Sequence, residues 1–298
     1  MTPAEFHYDG ITVRGVTLAG EETYVVVPEM NVGFDVGRCQ RDLLSIDHVF
    51  LSHGHMDHAA GVAYYFSQRE FVDNDPGHLY VPELLVEPLR TLMRVWADID
   101  GHVPASNIQA AAPGQDIEVR RNLIVRPFAV NHPCRRHDRT VVQALGYAAI
   151  EVRQKLKQEF LDRTGPQIVE LKKQGVQITN RVEMPLVTYC GDTTAGGFLD
   201  HEFVRDAKIL LLECTFVDPD HRERARVGNH MHLDQLREII PKLRNERILL
   251  THLTRRTMLS DAKALLREAI GEKQAERVSF LMEHRRRRGR PRPVPTPE

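Results

Sequence analysis

The run Ser52-His53-Gly54-His55-Met56-Asp57-His58 places three imidazoles and a carboxylate within six residues. Neutral imidazole and carboxylate are good ligands for zinc-type divalent ions. The run directly follows Val49-Phe50-Leu51, which reads as the end of a strand. A strand end that turns into a loop can aim alternate side chains at one point. His53 and His55 can then serve one metal ion while Asp57 and His58 face a second. One loop cannot complete two sites, so further ligands are expected after other strands. His132 follows the apolar run 123–130, Asp192 follows 186–190, and His252 follows 247–251. Open α/β sheets gather their binding sites at the carboxyl ends of strands, and every candidate sits at one. A lone histidine after a strand is usually an ordinary polar residue; seven ligand-type residues in this arrangement point to a metal centre. Two ions ~3.5–4 Å apart can hold a hydroxide at neutral pH and polarise the ester or phosphoryl oxygen under attack. Asp57 can accept the nucleophile's proton while it ligates. No Gly-x-Ser-x-Gly elbow is present, so no serine nucleophile competes with this chemistry.

The elements that must position these residues are short. Runs rich in β-branched residues at 11–18, 24–27, 32–36, 48–51, 79–81, 123–128, 145–150, 186–190, 209–212 and 248–250 are bounded by Gly, Pro, Asn or Asp, which predicts strands. Between them lie helical spacings. Leu85, Leu89, Leu92 and Trp96 share one face, as do Val152, Leu156 and Phe160, and Leu233, Leu236, Ile239 and Ile240 form another stripe. Ser260 with Asp261 reads as a helix start ahead of residues 264–270. No repeat period is evident. The expectation is one α/β domain over residues 1–284.

Composition narrows the setting. Hydrophobic residues at 42% and charged residues at 27% over 298 residues are ordinary for a globular chain able to bury a large core. Cys39, Cys134, Cys190 and Cys214 are scattered without a Cys-x-x-Cys pair, which suits a reducing compartment. Met1–Glu5 has no basic signal-peptide start and no stretch reaches membrane-spanning length, so a cytoplasmic location and no membrane contact are expected. Residues 285–298 hold six arginines and one glutamate, so they carry +5 and the rest of the chain −6 of the formal net −1. Rich in Arg and Pro and nearly free of apolar side chains, they are expected to form a disordered tail. The folded part lacks a pervasive basic field, so any grip on a polyanion must be local. Arg135 and Arg136, beside His132, are candidates for phosphate contact.

Ser-His-Gly-His-Met-Asp-His resembles the His-x-His-x-Asp-His signature of the metallo-β-lactamase superfamily, and Gly191-Asp192-Thr193 and Leu250-Thr251-His252 resemble its downstream metal motifs. The resemblance spans about residues 11–270. It implies an αββα sandwich with two zinc ions, manganese or iron being alternatives, bridged by a hydroxide. It implies that His53, His55 and His132 hold one ion, that Asp57, His58 and His252 hold the other, and that Asp192 bridges. Leu212-Glu213-Cys214-Thr215-Phe216 with Asn229-His230-Met231-His232 further resembles segments of ribonuclease Z. In that family the Glu orients the His, which protonates the leaving 3′ oxygen; Glu213 and His230 occupy those positions. Leu253-Thr254-Arg255-Arg256 resembles the family's Ser-x-Arg-Tyr, which gives Arg256 the scissile phosphate and leaves Thr257 where Tyr is usual. The resemblance implies endonucleolytic cleavage of precursor tRNA 3′ trailers, with RNA as partner and a homodimer as assembly. Two departures bear on substrate grip. The interval 150–185, where bacterial members carry a basic flexible arm, is short and reads as helix, turn, helix. His232 replaces the usual Thr. The alternative is a hydrolase of small esters, thioesters or lactones, or of a phosphodiester other than tRNA. Glu213, His230 and Arg256 would have no evident task on small esters. A domain retained only for binding would lack metal ligands, and none is missing.

Overall fold

The apolar runs pair into two sheets, each built from one half of the chain in strict sequence order. The computed structural model describes residues 2–133 and 142–285; Arg135, Arg136 and the tail beyond Arg285 lie outside the described residues. The first sheet contains β1 (Ala4–Tyr8), β2 (Ile11–Leu18), β3 (Glu22–Val27), β4 (Val32–Phe34), β5 (His48–Phe50), β6 (His78–Pro82) and β7 (Asn107–Ala111). The second contains β8 (Ile117–Arg120), β9 (Leu123–Ala129), β10 (Leu145–Leu156), β11 (Thr179–Tyr189), β12 (Ile209–Glu213), β13 (Arg247–Thr251) and β14 (Val278–Phe280). In each sheet the first four strands pair antiparallel and the last four pair parallel. The two halves thus repeat one topology, a repeat invisible as residue identity.

Most helices follow the parallel strands, and the helix Gly165–Lys173 lies between the antiparallel β10 and β11. α1 (Met56–Ala59), α2 (Val62–Phe71) and α3 (Val86–Asp100) belong to the first half. α4 (Gly165–Lys173), α5 (Glu202–Arg205), α6 (Arg222–Gly228), α7 (Leu233–Ile239), α8 (Leu259–Ile270) and α9 (Glu272–Ala275) belong to the second. The run 209–212 is apolar at every position because its strand is covered on both faces. Ile209 and Leu211 join the core between the sheets, whereas Leu210 and Leu212 join a second core with Leu236 of α7 and Leu266 of α8. Phe34 of the first sheet meets Tyr189 of the second with ring centroids 5.2 Å apart, which fixes the sheets face to face. The architecture is the αββα sandwich expected.

Two expectations need correction. The Val152, Leu156, Phe160 spacing does not make a helix. β10 runs straight through it, pairing to Leu156↔Thr179 on β11, and Phe160 lies in a short 3-10 turn. Residues four apart share a face in a strand as well as in a helix, so that spacing could not discriminate. Only the later part of the interval, α4, is helical. The predicted strand 32–36 ends at Phe34, because Asp35 adopts φ +57°. That left-handed conformation takes Asp35 out of the strand and turns it towards the site.

Candidate metal centre

The loops after β4, β5, β9, β11, β12 and β13 converge at the carboxyl ends of the two sheets. His53, His58, His132, Asp192 and His252 are all buried there, with Asp57 and His55 partly so. One ligand atom from each of His53, His55, His132 and Asp192 lies within 4.8 Å of all the others, and the same holds for Asp57, His58 and His252. Asp192 stands between the groups. Its Oδ2 is 3.7 Å from His53 Nε2 on one side and 3.3 Å from both His58 Nε2 and His252 Nε2 on the other. A third grouping joins Asp192 and His252 to His230.

Outer partners turn the rings. His58 Nδ1 donates to Asp35 Oδ2 (2.7 Å) and His132 Nδ1 to the Asn229 carbonyl (3.1 Å). His53 Nδ1 donates to Ser52 Oγ (2.9 Å), whose own hydrogen goes to Asp35 (2.9 Å). His252 Nδ1 donates to Thr215 Oγ1 (2.9 Å), whose hydrogen goes to Glu213 (2.6 Å). With four Nδ1 hydrogens committed outward, four Nε2 atoms face inward around a carboxylate, each able to carry a proton or to offer its lone pair to a metal ion. Such an array repels itself unless a cation sits within it. The donor set therefore fits divalent metal of the zinc type.

The electrostatics agree with a buried, charged centre. Burial, with His58 beside it, holds His53 well below the usual imidazole range. Burial likewise lowers His55 and His132. Asp192 is pushed up by burial but held well below the carboxylate range by His252 and His58. His58 goes the other way: burial pulls it down, and Asp192 and Asp35 outweigh that. Asp57 is lowered because the His252 hydrogen bond and the His58 charge overcome burial; it also accepts Gly20 N at 2.8 Å.

Glu213, fully buried at the end of β12, accepts four hydrogen bonds. Thr193 N (2.6 Å) and His230 Nδ1 (3.1 Å) donate to Oε1, and Thr215 Oγ1 (2.6 Å) and Met231 N (3.0 Å) donate to Oε2. Burial alone would depress His230, but Glu213 pushes it up to about 9. With Nδ1 given to Glu213, Nε2 is the nitrogen available to a ligand. His230 packs on His132 and His252, with centroids 5.0 and 5.1 Å away, at the edge of the ligand cluster. The preceding Gly228 is required there: a Cβ on it would meet His230 Cδ2 at 2.9 Å. His232 is not a loose substitute for Thr. Its Nδ1 caps α7 by accepting Asp234 N (3.1 Å), and its Nε2 donates to Asp218 O (2.9 Å).

The structure thus brings together Glu213, His230 and the seven ligand candidates. Arg256 is exposed in the loop after His252, with its backbone N on Thr254 Oγ1. Sequence reasoning missed Asp35. Its Oδ1 takes Ser52 N (2.6 Å), while its Oδ2 takes Ser52 Oγ, His58 Nδ1 and Tyr189 OH (2.5 Å). The available signal was an acid inside the apolar run 32–36, where burial demands partners.

Comparison with known proteins follows the geometry. A model described as a beta-lactamase superfamily domain matches residues 32–157. The chain is 31% identical over 272 residues to a chloroplastic tRNase Z of Arabidopsis thaliana, covering 90% of this chain and 73% of that protein. It is 32% identical over 251 residues to a second Arabidopsis thaliana tRNase Z, covering 83% and 87%. Among solved structures, a metallo-β-lactamase fold protein from Bacillus subtilis superposes with a TM-score of 0.61 at 16% identity, covering 93% of this chain and 96% of the other.

Proposed function

The chain belongs to the tRNase Z family within the β-lactamase superfamily, and from that premise we propose that it is a two-metal endoribonuclease that cuts 3′ trailers from precursor tRNA. The observation that carries this reading is the Glu213–His230 pair, built beside a full set of metal ligands. His53, His55 and His132 would hold one zinc-type ion and Asp57, His58 and His252 the other, with Asp192 common to both. When bound, the ions supply Lewis acidity at the phosphate and lower the pKa of the attacking water towards about 7.

The chain's own residues do the rest. Asp57, turned towards the centre by Gly20 N, accepts the proton of the nucleophile. His230 binds its second proton at Nε2 and holds it for the departing 3′ oxygen, a poor leaving group that needs protonation. Glu213 fixes the ring through Nδ1 and favours its charged form. Arg256, exposed beside the ligand loop, takes the scissile phosphate, and Arg135 and Arg136 add a local grip on the strand. The test is incubation of a precursor tRNA with the full chain and zinc, with the cut site mapped. The expected product is a single cut leaving a 3′ hydroxyl on the tRNA and a 5′ phosphate on the trailer. Intact tRNA alongside rapid turnover of a small thioester or lactone would overturn the assignment.

The assembly we propose is a homodimer through α3. Leu89 and Met93 are its buried residues, while Leu92, Val95, Trp96 and Ile99 lie exposed at helical spacing. An exposed apolar row of this kind marks a contact surface. No helix among the described residues is long and apolar enough to cross a membrane. Buried, free Cys39, Cys190 and Cys214 suit a reducing compartment such as the cytoplasm.

A further inference from the structure

A second concavity adjoins the metal centre. The turn after β2 and the loop after β13 meet where Ala19 N donates to Leu253 O (3.3 Å), and Gly20 N in the same turn reaches the ligand Asp57 (2.8 Å). Together with the start of α8 and the 3-10 turn Leu281–His284, they border an open cleft of about 520 Å³. Leu18, Leu253, Met258 and Met282 give it apolar walls, and Arg255 and Arg285 give it charge. No carboxylate is among its described lining residues, although the chain outside the tail carries −6. Glu21 pairs with the Arg255 guanidinium at 3.2 Å.

A slot with apolar walls and two arginines at its rim, one of them shared with Glu21, favours a flat, apolar-faced anion. Guanidinium groups both pair with phosphate and stack on base faces, and methionine adapts to planar partners. Leu253 directly follows the ligand His252, so the slot is built on the same loop as one of the ligands. We propose that this cavity is a nucleotide subsite: it takes the base of a nucleotide flanking the scissile phosphate against Leu18, Leu253 and Met282, with Arg255 and Arg285 on its phosphates. The proposal rests on the phosphodiesterase reading and adds to it the site that would discriminate a nucleotide from a generic phosphodiester.

The test compares thymidine 5′-monophosphate p-nitrophenyl ester with bis-p-nitrophenyl phosphate on the zinc-loaded full chain. Both release p-nitrophenol, so His230 contributes alike to each. The wild type is expected to show a KM for the nucleotide ester roughly tenfold below that for the simple diester, the scale of one or two charge-assisted contacts. Arg255→Ala with Arg285→Ala should erase that difference while leaving kcat on the simple diester within about twofold. Met258→Trp, at an exposed residue whose replacement disturbs no core, should erase it by filling the slot. An unchanged KM ratio in both variants overturns the subsite and leaves the phosphodiesterase reading standing. Calorimetric titration of thymidine 5′-monophosphate separates the opposite case. If neither ester turns over but the wild type binds the nucleotide and the double variant does not, the subsite stands and the phosphodiesterase reading falls.

Discussion

Asp35 and Glu213 are two fully buried carboxylates, one closing β4 of the first sheet and one ending β12 of the second. Each holds one imidazole directly and a second through a hydroxyl: His58 and His53 by way of Ser52 for Asp35, His230 and His252 by way of Thr215 for Glu213. The topological repeat of the two halves has produced two similar devices with different loads. Both rings on Asp35 belong to the ligand groups, one to each. Glu213 splits its load, steadying the ligand His252 and the ring of His230, which we place outside the ligand set. On the function we propose, one carboxylate would assemble the metal centre and the other would couple it to a proton.

The comparison breaks first at the residue the two sides share. Asp192→Ala should release both ions and abolish turnover, since its Oδ2 touches Nε2 atoms of both groups. Elemental analysis should read close to two transition-metal ions per wild-type chain and near none in the variant; a variant retaining both would remove the common ligand from the scheme. Next is Asp35→Asn. Outer partners of ligating histidines typically govern about 10–100-fold in metal affinity. Asp35 serves two of them, so chelator competition should show a loss at the upper end, with turnover recovering in excess zinc. Wild-type affinity in that variant would reduce Asp35 to a packing residue.

How legible these features were depended on where each residue's partners lie. The seven ligand candidates stood out because each combines a ligand-type side chain with a strand end, and both are local properties. Asp35 did not, because its reason for being there is Ser52, His58 and Tyr189, the last 154 positions away. Ser52 and Thr215 were hidden similarly: a hydroxyl between a ring and a carboxylate has no sequence signature of its own. In the fold, runs apolar on both faces, such as 209–212, were readable as covered strands. β1, β7, β8 and β14 were not, since edge strands and short strands carry mixed patterns. Residues 152–160 failed because spacing by four serves both periodicities, and only pairing with β11 decided between them.

His230→Ala sharpens the comparison on the Glu213 side. The ions should stay, while turnover of RNA or an alkyl phosphodiester falls roughly 10²–10⁴-fold, the usual range for acid–base assistance. On an aryl diester, whose leaving group needs little protonation, the loss should nearly vanish. Equal losses on both, or loss of an ion, would make His230 a ligand through its grouping with Asp192 and His252. Glu213→Gln should show the same leaving-group pattern with a smaller penalty, and the double variant should be scarcely worse than His230→Ala if the two act as one unit.

The smallest effect tests how His230 is held from behind. Phe216 and His232 form a β-bridge, and His232 ties two segments together by capping α7 through Nδ1 and gripping the Asp218 carbonyl through Nε2. The backbone bearing His230 is therefore fixed between Glu213 and this cap. Removing an N-cap side chain costs ~1 kcal/mol, so His232→Ala should lower the melting temperature by only a few degrees. Asn or Thr at this position restores the cap acceptor but lacks an imidazole's reach to Asp218. His232→Thr should therefore recover the stability while leaving His230 less firmly placed. The readout that separates positioning from stability is the alkyl-to-aryl rate ratio. It should fall several-fold in His232→Ala and recover only in part in His232→Thr, far short of the effect of His230→Ala. If the ratio stays at the wild-type value while stability drops, His232 is a helix cap alone, and Glu213 suffices to hold the proton donor in place.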